Sequence, residues 1–540
     1  MEKANMIIQG NRIFTGKGLM EGSIAIKDDT IIEVGSEVQA ERYKGSDTKV
    51  YRFDNQTIMP GFHDFHIHLT LGCLFEDYVN LADARSAEET AQMVKRFADT
   101  RPEDEWILGF SWYHIFWDKK EMPDRTILDK VIPDRPVFLL NAECHGAWLN
   151  TKALEVAGID EHTEDPPFGK VIRDESGRPT GILLETAMKL AVDKAFHIPE
   201  PKASQLMARF LAKANRLGIT SVSDMLPLPG FEVGDLSLYQ KFEKEGKLTV
   251  RTFFLSPLHG DLQKAKELRD RFTSDVLKFT GLKQFLDGVA ATYTAFLVDP
   301  YSDQPLERGE PFLPPGLLEE WVTEADKEGF RVRLHACGDG AVRLGLDLYE
   351  KARQRNGKRD SRHTIEHIEV IHPDDIRRFA ELGVIASMQP EHMAITETFE
   401  DNIYLTRMGK ERDAYTWPIK ALSEAGAHVA FGSDFPVVEI NPMLEIYRAV
   451  TRRFNDGKPE GGWNPTEKIS LEQAIRHYTS GPAYGNFMED KLGTLEKGKL
   501  ADVIVMDRDL FSSEPNELLE AKVQMTVMNG NIVYQQTEHN

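Results

Sequence analysis

Several side chains of this sequence are of the types that hold divalent metals. His66 and His68 end the segment Pro60-Gly61-Phe62-His63-Asp64-Phe65-His66-Ile67-His68. Alternate residues of a strand share a face, so these imidazoles stand about 7 Å apart on one side and can reach a single ion. His335 lies in Arg333-Leu334-His335-Ala336-Cys337, His367 in His363-Thr364-Ile365-Glu366-His367, and Asp434 in Phe431-Gly432-Ser433-Asp434-Phe435-Pro436. Nitrogen and oxygen donors of this kind suit zinc and its first-row neighbours. Lys283 stands in Leu282-Lys283-Gln284-Phe285. A lysine buried near cations loses its proton, and its neutral amine can take up carbon dioxide to form a carbamate, a two-oxygen ligand able to bridge two metals. A lysine that binds a substrate carboxylate is the alternative, and spacing alone leaves both open.

The elements that must position these groups follow from the hydrophobic pattern. Strand-like runs are read at 58–68, 218–224, 249–256, 277–286, 331–336, 363–369, 383–390 and 428–434, most of them separated by amphipathic helical segments such as 203–217, 317–329, 339–355 and 414–426. Eight such units predict an α/β fold, a (β/α)8 TIM barrel, and every candidate ligand falls at the C-terminal end of a strand, where barrel enzymes assemble their sites. The interval of about 72–200 is too long for one connection and reads as an inserted subdomain with its own strands. Short strands at both chain ends are too few to bury a sheet face alone. They predict one small composite β-sandwich from 1–59 and 487–540, leaving 60–486 to the barrel.

Alternation also sorts the remaining polar residues. His363 shares the face of His367 but lies about 13 Å deeper, which makes it structural. His63 has the opposite parity and packs outside the barrel. Asp64 and Arg333, two residues before His66 and His335, belong to a polar layer beneath the metals. Trp106, Phe110, Trp112, Tyr113, Phe116, Trp117, Phe138 and Trp148 form either the core of the insertion or a pocket for an apolar or aromatic group.

The 540 residues carry 65 Lys and Arg against 87 Asp and Glu, a formal charge of −22. That balance argues against nucleic acid or membrane surfaces as partners and leaves a small-molecule substrate. Three scattered cysteines, Cys73, Cys144 and Cys337, make no disulfide framework. With no signal-like or membrane-spanning run, a cytoplasmic enzyme is the expectation. Oligomeric state is open, a homo-oligomer included.

The motifs together resemble the amidohydrolase superfamily, and within it the amidohydrolase-3 group called YtcJ-like, which contains N-substituted formamide deformylases. The likeness rests on Pro60 to His68, Lys283 to Gly288, His335-Ala336-Cys337-Gly338-Asp339, Glu366-His367, Gly432-Ser433-Asp434-Phe435-Pro436 and Gly493 to Asp502. It implies that His66 and His68 bind the more buried of two metals and His335 and His367 the more exposed one. Lys283, as a carbamate, bridges them, and Asp434 binds the first metal and carries the proton. It implies two Zn2+, with Mn2+, Fe2+ or Co2+ as alternatives. Trp112, His145, Asn150, Gln389 and His392 are implied as substrate contacts. His63, Phe65 and Cys337 depart from the group's usual residues. The activity implied is hydrolysis of an amide, N-formyl or N-acyl C–N bond by metal-activated hydroxide. A cyclic-amide hydrolase or deaminase, a metal-assisted isomerase or decarboxylase, and a non-enzymatic regulator are the competing readings.

Overall fold

Runs rich in Val, Ile, Leu and Phe form eight parallel strands in the computed structural model, which describes residues 2–536. They are β1 (Phe62–Ile67), β2 (Ile219–Asp224), β3 (Arg251–Pro257), β4 (Leu277–Phe285), β5 (Val332–Ala336), β6 (Thr364–His367), β7 (Ile385–Met388) and β8 (His428–Phe431). The sheet runs from β1 to β8 in chain order with every neighbour parallel. Most strand residues are buried, as they must be when helices cover the outside and side chains fill the inside. The helix Glu200–Arg216 shows the matching pattern: Leu206, Met207, Phe210, Leu211 and Ala214 make its buried stripe, with Lys213 and Arg216 in its last turn.

The barrel closes at the site itself. Past the end of β8, Asp434 N donates to His66 O at 2.7 Å, and His68 N donates to Phe435 O at 2.9 Å. Gly432 permits this approach, because a Cβ there would collide with His66 N and the Asp64 carboxylate. A TIM barrel is therefore the fold, as the strand pattern predicts.

The insertion carries a mixed sheet in the spatial order Gly169–Arg173, Pro179–Glu185, Gly146–Leu149, Val137–Asn141, Ile107–Trp112, Val79–Asn80. It has its own core, including Leu81, Val94, Ile107, Trp112, Trp117, Leu139 and Trp148. Strands from both chain ends meet in a third sheet. Val503–Met506 pairs with Ile58–Pro60, and the strand Met6–Phe14 pairs with Lys49–Phe53 along its first half and with Ile58 through Ile13. The sheet thus forks at Met6–Phe14 around a cluster that includes Ile8, Ile24, Ile26, Val503, Val505 and Val527. Met1 and residues 537–540, the ends of the expected terminal domain, lie outside the described residues. Among the described residues no helix is long and apolar enough to cross a membrane.

Candidate metal centre

Asp434 lies between two groups of imidazoles. Its Oδ1 is 3.3 Å from His66 Nε2 and 3.2 Å from His68 Nε2, and its Oδ2 is 3.9 Å from His367 Nδ1 and 3.7 Å from His392 Nε2. Burial alone would raise its pKa, but His66 and His68 hold it well below the usual carboxylate range. The backbone aims these groups. Both His367 (φ 75°) and Asp434 (φ 60°) are left-handed, a costly conformation for such residues. Strict alternation therefore fails at β6. Glu366 reaches across the barrel to His66 and so lies inside, while His367 turns into the mouth.

Glu366 is the residue that reading by alternation missed. Its Oε2 accepts from Arg333 Nη2 at 3.0 Å, Arg333 Nε donates to its Oε1, and both side chains are fully buried. Burial would raise the Glu366 pKa, but Arg333 and then His66 carry it well below its usual value. An ionised Glu366 accepts from His66 Nδ1 at 2.8 Å. That bond fixes the His66 tautomer and leaves the Nε2 lone pair facing Asp434. Only its place beside His367 in the sequence pointed to it.

The remaining candidates divide. The His335 and His367 ring centroids are 4.4 Å apart, but His335 Nε2 turns to Gly288 O at 3.1 Å, with Cys337 Sγ at 3.4 Å and Asp287 Oδ1 at 3.6 Å. Asp287 clamps the loop by accepting from Cys337 N, Gly338 N and Phe296 N. Three donor groups result: His66 with His68 and Asp434, His367 with His392 and Asp434, and His335 with Asp287 and Cys337. Burial, followed by neighbouring histidines, holds the His335 and His367 pKa values well below 6.5, so both rings are neutral and able to bind metal at neutral pH. The Lys283 ammonium is fully enclosed, has no hydrogen-bond partner, and is lowered by burial from 10.5 to about 8. A cavity of about 540 Å³ opens beside Lys283, with Phe285, His259, Phe312 and Trp321 in its walls.

These residues suit a metal. Asp434 Oδ1, His68 Nδ1, His367 Nδ1, His392 Nε2 and Lys283 Nζ are all buried without a hydrogen-bond partner. Oδ1 stands close to two imidazole nitrogens without hydrogen-bond geometry, which is how ligands sit around a shared cation.

Among the expected substrate contacts, His145 faces the site, its ring 5.1 Å from that of His335. Its Nδ1 bonds Glu185 Oε2 at 2.8 Å, and although burial lowers its pKa, the Glu185 charge carries it above 6.5. Gln389 has an unpartnered buried Oε1, and His392 faces Asp434. Two other expected contacts have their polar atoms engaged elsewhere. Asn150 is spent inside the insertion: Oδ1 accepts from Val137 N and Ala153 N, and Nδ2 donates to Ile132 O and Arg135 O. Trp112 is wholly buried against Trp117 and Trp148 and donates to Leu139 O at 2.8 Å. Neither has a polar atom left for a ligand. His363 also lies elsewhere than predicted. Its Nδ1 accepts from Val332 N, its Nε2 donates to Asp326 at 3.0 Å, and its ring stacks on Tyr349, all outside the barrel.

Residues 54–534 match the model of the amidohydrolase family. The chain belongs to that family. This amidohydrolase is 31% identical over 98% of its length to LONG AFTER FAR-RED 3 of Arabidopsis thaliana, covering 92% of that protein. It is 27% identical to the N-substituted formamide deformylase of Arthrobacter pascens, over 98% of both chains. A solved metal-dependent hydrolase from Pyrococcus horikoshii OT3 superposes with a TM-score of 0.76 at 26% identity, over 95% of this amidohydrolase and 99% of that chain. This amidohydrolase is thus a metal-dependent hydrolase by family and by structural likeness.

Proposed function

We propose that the chain hydrolyses a C–N bond of a small-molecule amide, of the N-formyl or N-acyl type, with two divalent cations, Zn2+ first among them. The observation that carries this reading is the Asp434 carboxylate, unprotonated, buried and bracketed by imidazole nitrogens on both oxygens. His66, His68 and Asp434 would hold one ion. His335 and His367 would hold the second, with Lys283 as its carbamate between them. Bound there, such cations act as Lewis acids toward a carbonyl oxygen and lower the pKa of water toward neutrality.

The chain's own groups supply the rest. Asp434 takes the proton of the attacking water and returns it to the leaving nitrogen, base becoming acid. Glu366 and Arg333 keep His66 in one tautomer. His145, Gln389 and His392 surround the scissile group, and the insertion excludes water from it. The names of the Arthrobacter relative and of the Pyrococcus structure agree with this chemistry. The test is a chelator-controlled screen of the metal-loaded chain against N-formyl, N-acyl, cyclic-amide, carbamate and ester substrates, with metal counted per chain. Two ions and activity confined to acyclic amides support the reading. One ion with ammonia release from a heterocycle identifies a deaminase, and product without incorporated water identifies an isomerase or decarboxylase.

A further inference from the structure

The insertion presents to the site a carboxylate that the hydrolytic chemistry leaves unused. Glu143 sits in the turn after Val137–Asn141, where Asn141 Oδ1 accepts from His145 N and Gly146 N at 3.0 Å each and Cys144 is left-handed at φ 58°. This built turn points His145 at His335 and places Glu143 within electrostatic reach of Glu369, His145, Arg407 and His392. Glu143 is 7% exposed and its Oε2 has no hydrogen-bond partner. The Tyr113 hydroxyl beside it is also buried.

A second carboxylate stands on the barrel side. Glu369 accepts from the Tyr404 hydroxyl and lies 3.7 Å from His392 Nδ1, with no Lys or Arg paired to it. Arg407 is the nearby cation, but it donates to Ala290 O and stacks on Tyr293 at 4.1 Å. Glu143 and Glu369 share this space with Arg407 and with the imidazoles of His145 and His392. Buried acceptors without donors are costly, and a ligand that brings donors repays that cost. An apolar substituent would leave Glu143 Oε2 unmet. Trp112, Trp117 and Trp148 are locked in the insertion core, and the aromatic side chains that remain open are Phe285, Phe312 and Trp321 of the cavity beside Lys283.

We propose that Glu143 is a specificity-determining residue that receives a primary ammonium group carried by the substrate, with Tyr113 and Glu369 completing the acceptor wall. Burial and the like charge of Glu369 lift the Glu143 carboxyl to about 7, and an arriving cation draws it to the ionised form. This inference rests on the hydrolase reading above, and its experiment has an arm that does not need turnover.

The experiment uses the metal-loaded full chain and two isosteric amides, N-acetyl-1,4-diaminobutane and N-pentylacetamide. The expected result is at least tenfold higher kcat/KM for the ammonium amide, carried mainly by KM. Glu143→Gln and Glu143→Leu bring the ratio toward one, and Glu143→Asp restores part of it, with metal content and circular dichroism confirming the fold of each. A native ratio at or below one, or a ratio untouched by Glu143→Gln, overturns the proposal. If neither amide is hydrolysed, the C–N hydrolase reading fails separately, and calorimetry with pentylammonium and 1-pentanol decides. Tenfold tighter ammonium binding that Glu143→Gln abolishes supports the assignment. Equal binding, or none, overturns it.

Discussion

Asp434 and Glu366 are the two carboxylates on which the site turns, and they predict different failures. Replacing Asp434 by Asn keeps the shape and one ligand oxygen but removes the proton carrier. Asp434→Asn is expected to retain most of its metal, read by elemental analysis, while kcat falls at least about 10²-fold, the usual scale of an acid–base contribution. Glu366→Gln acts one bond further out. It leaves Arg333 buried without its carboxylate and frees the His66 tautomer, so the expected loss is about 10- to 100-fold in metal affinity, measured by competition with a chromophoric chelator. Retained affinity in Glu366→Gln would show that His66 is oriented by packing alone. His66, His68 and Asp434 were legible as a set because residue type and position at a strand end coincided. Glu366 was hidden because its role appears only once β1 and β6 face each other across the barrel.

The barrel strands were legible because burial on both faces favours apolar runs that alternate with helical segments. Parity was the weaker inference. It assumes regular extended backbone to the last residue, whereas His367 and Asp434 sit in left-handed conformations that re-aim their side chains. Hence His363 packs outside and Glu366 inside, in regular alternation with each other, and it is His367 that leaves the register. The insertion was less legible still, because a Trp or Asn near a site serves packing and capping as readily as binding. Asn150 caps the helix Thr151–Ala157 and ties it to the neighbouring chain through four hydrogen bonds. Asn150→Ala strips the cap and orphans Val137 N, Ile132 O and Arg135 O, so a loss of about 2–4 kcal/mol is expected. Thermal and denaturant unfolding should show it, while KM in the folded fraction stays put. A selective rise in KM with unchanged unfolding would return Asn150 to the substrate.

At the scale of the whole molecule the charge of −22 describes mainly the surface, while many charged side chains are also buried inside. One such pair joins the C-terminal strands of the terminal sheet to the barrel. Arg251, at the start of β3, donates from Nε to Asp502 Oδ2 at 2.9 Å and from Nη2 to Asp502 Oδ1 at 3.0 Å. Nη2 also donates to Asn529 Oδ1 at 2.8 Å, and Asp502 Oδ1 accepts from Asn529 N. Arg251 is wholly buried and Asp502 nearly so, so a bidentate ion pair spans the seam between the terminal sheet and the barrel floor, opposite the metal site. Removing one partner strands the other charge in a dry interface, which costs about 3–5 kcal/mol. Arg251→Met is therefore expected to lower the unfolding midpoint and expose the seam to protease, with metal stoichiometry and kcat of the folded protein unchanged. The double variant Arg251→Met/Asp502→Leu, which removes both charges, should recover most of that loss. No recovery in the double variant would mean that Arg251 supports the seam by its bonds to Asn529 and the Asp275 carbonyl rather than by its pairing with Asp502.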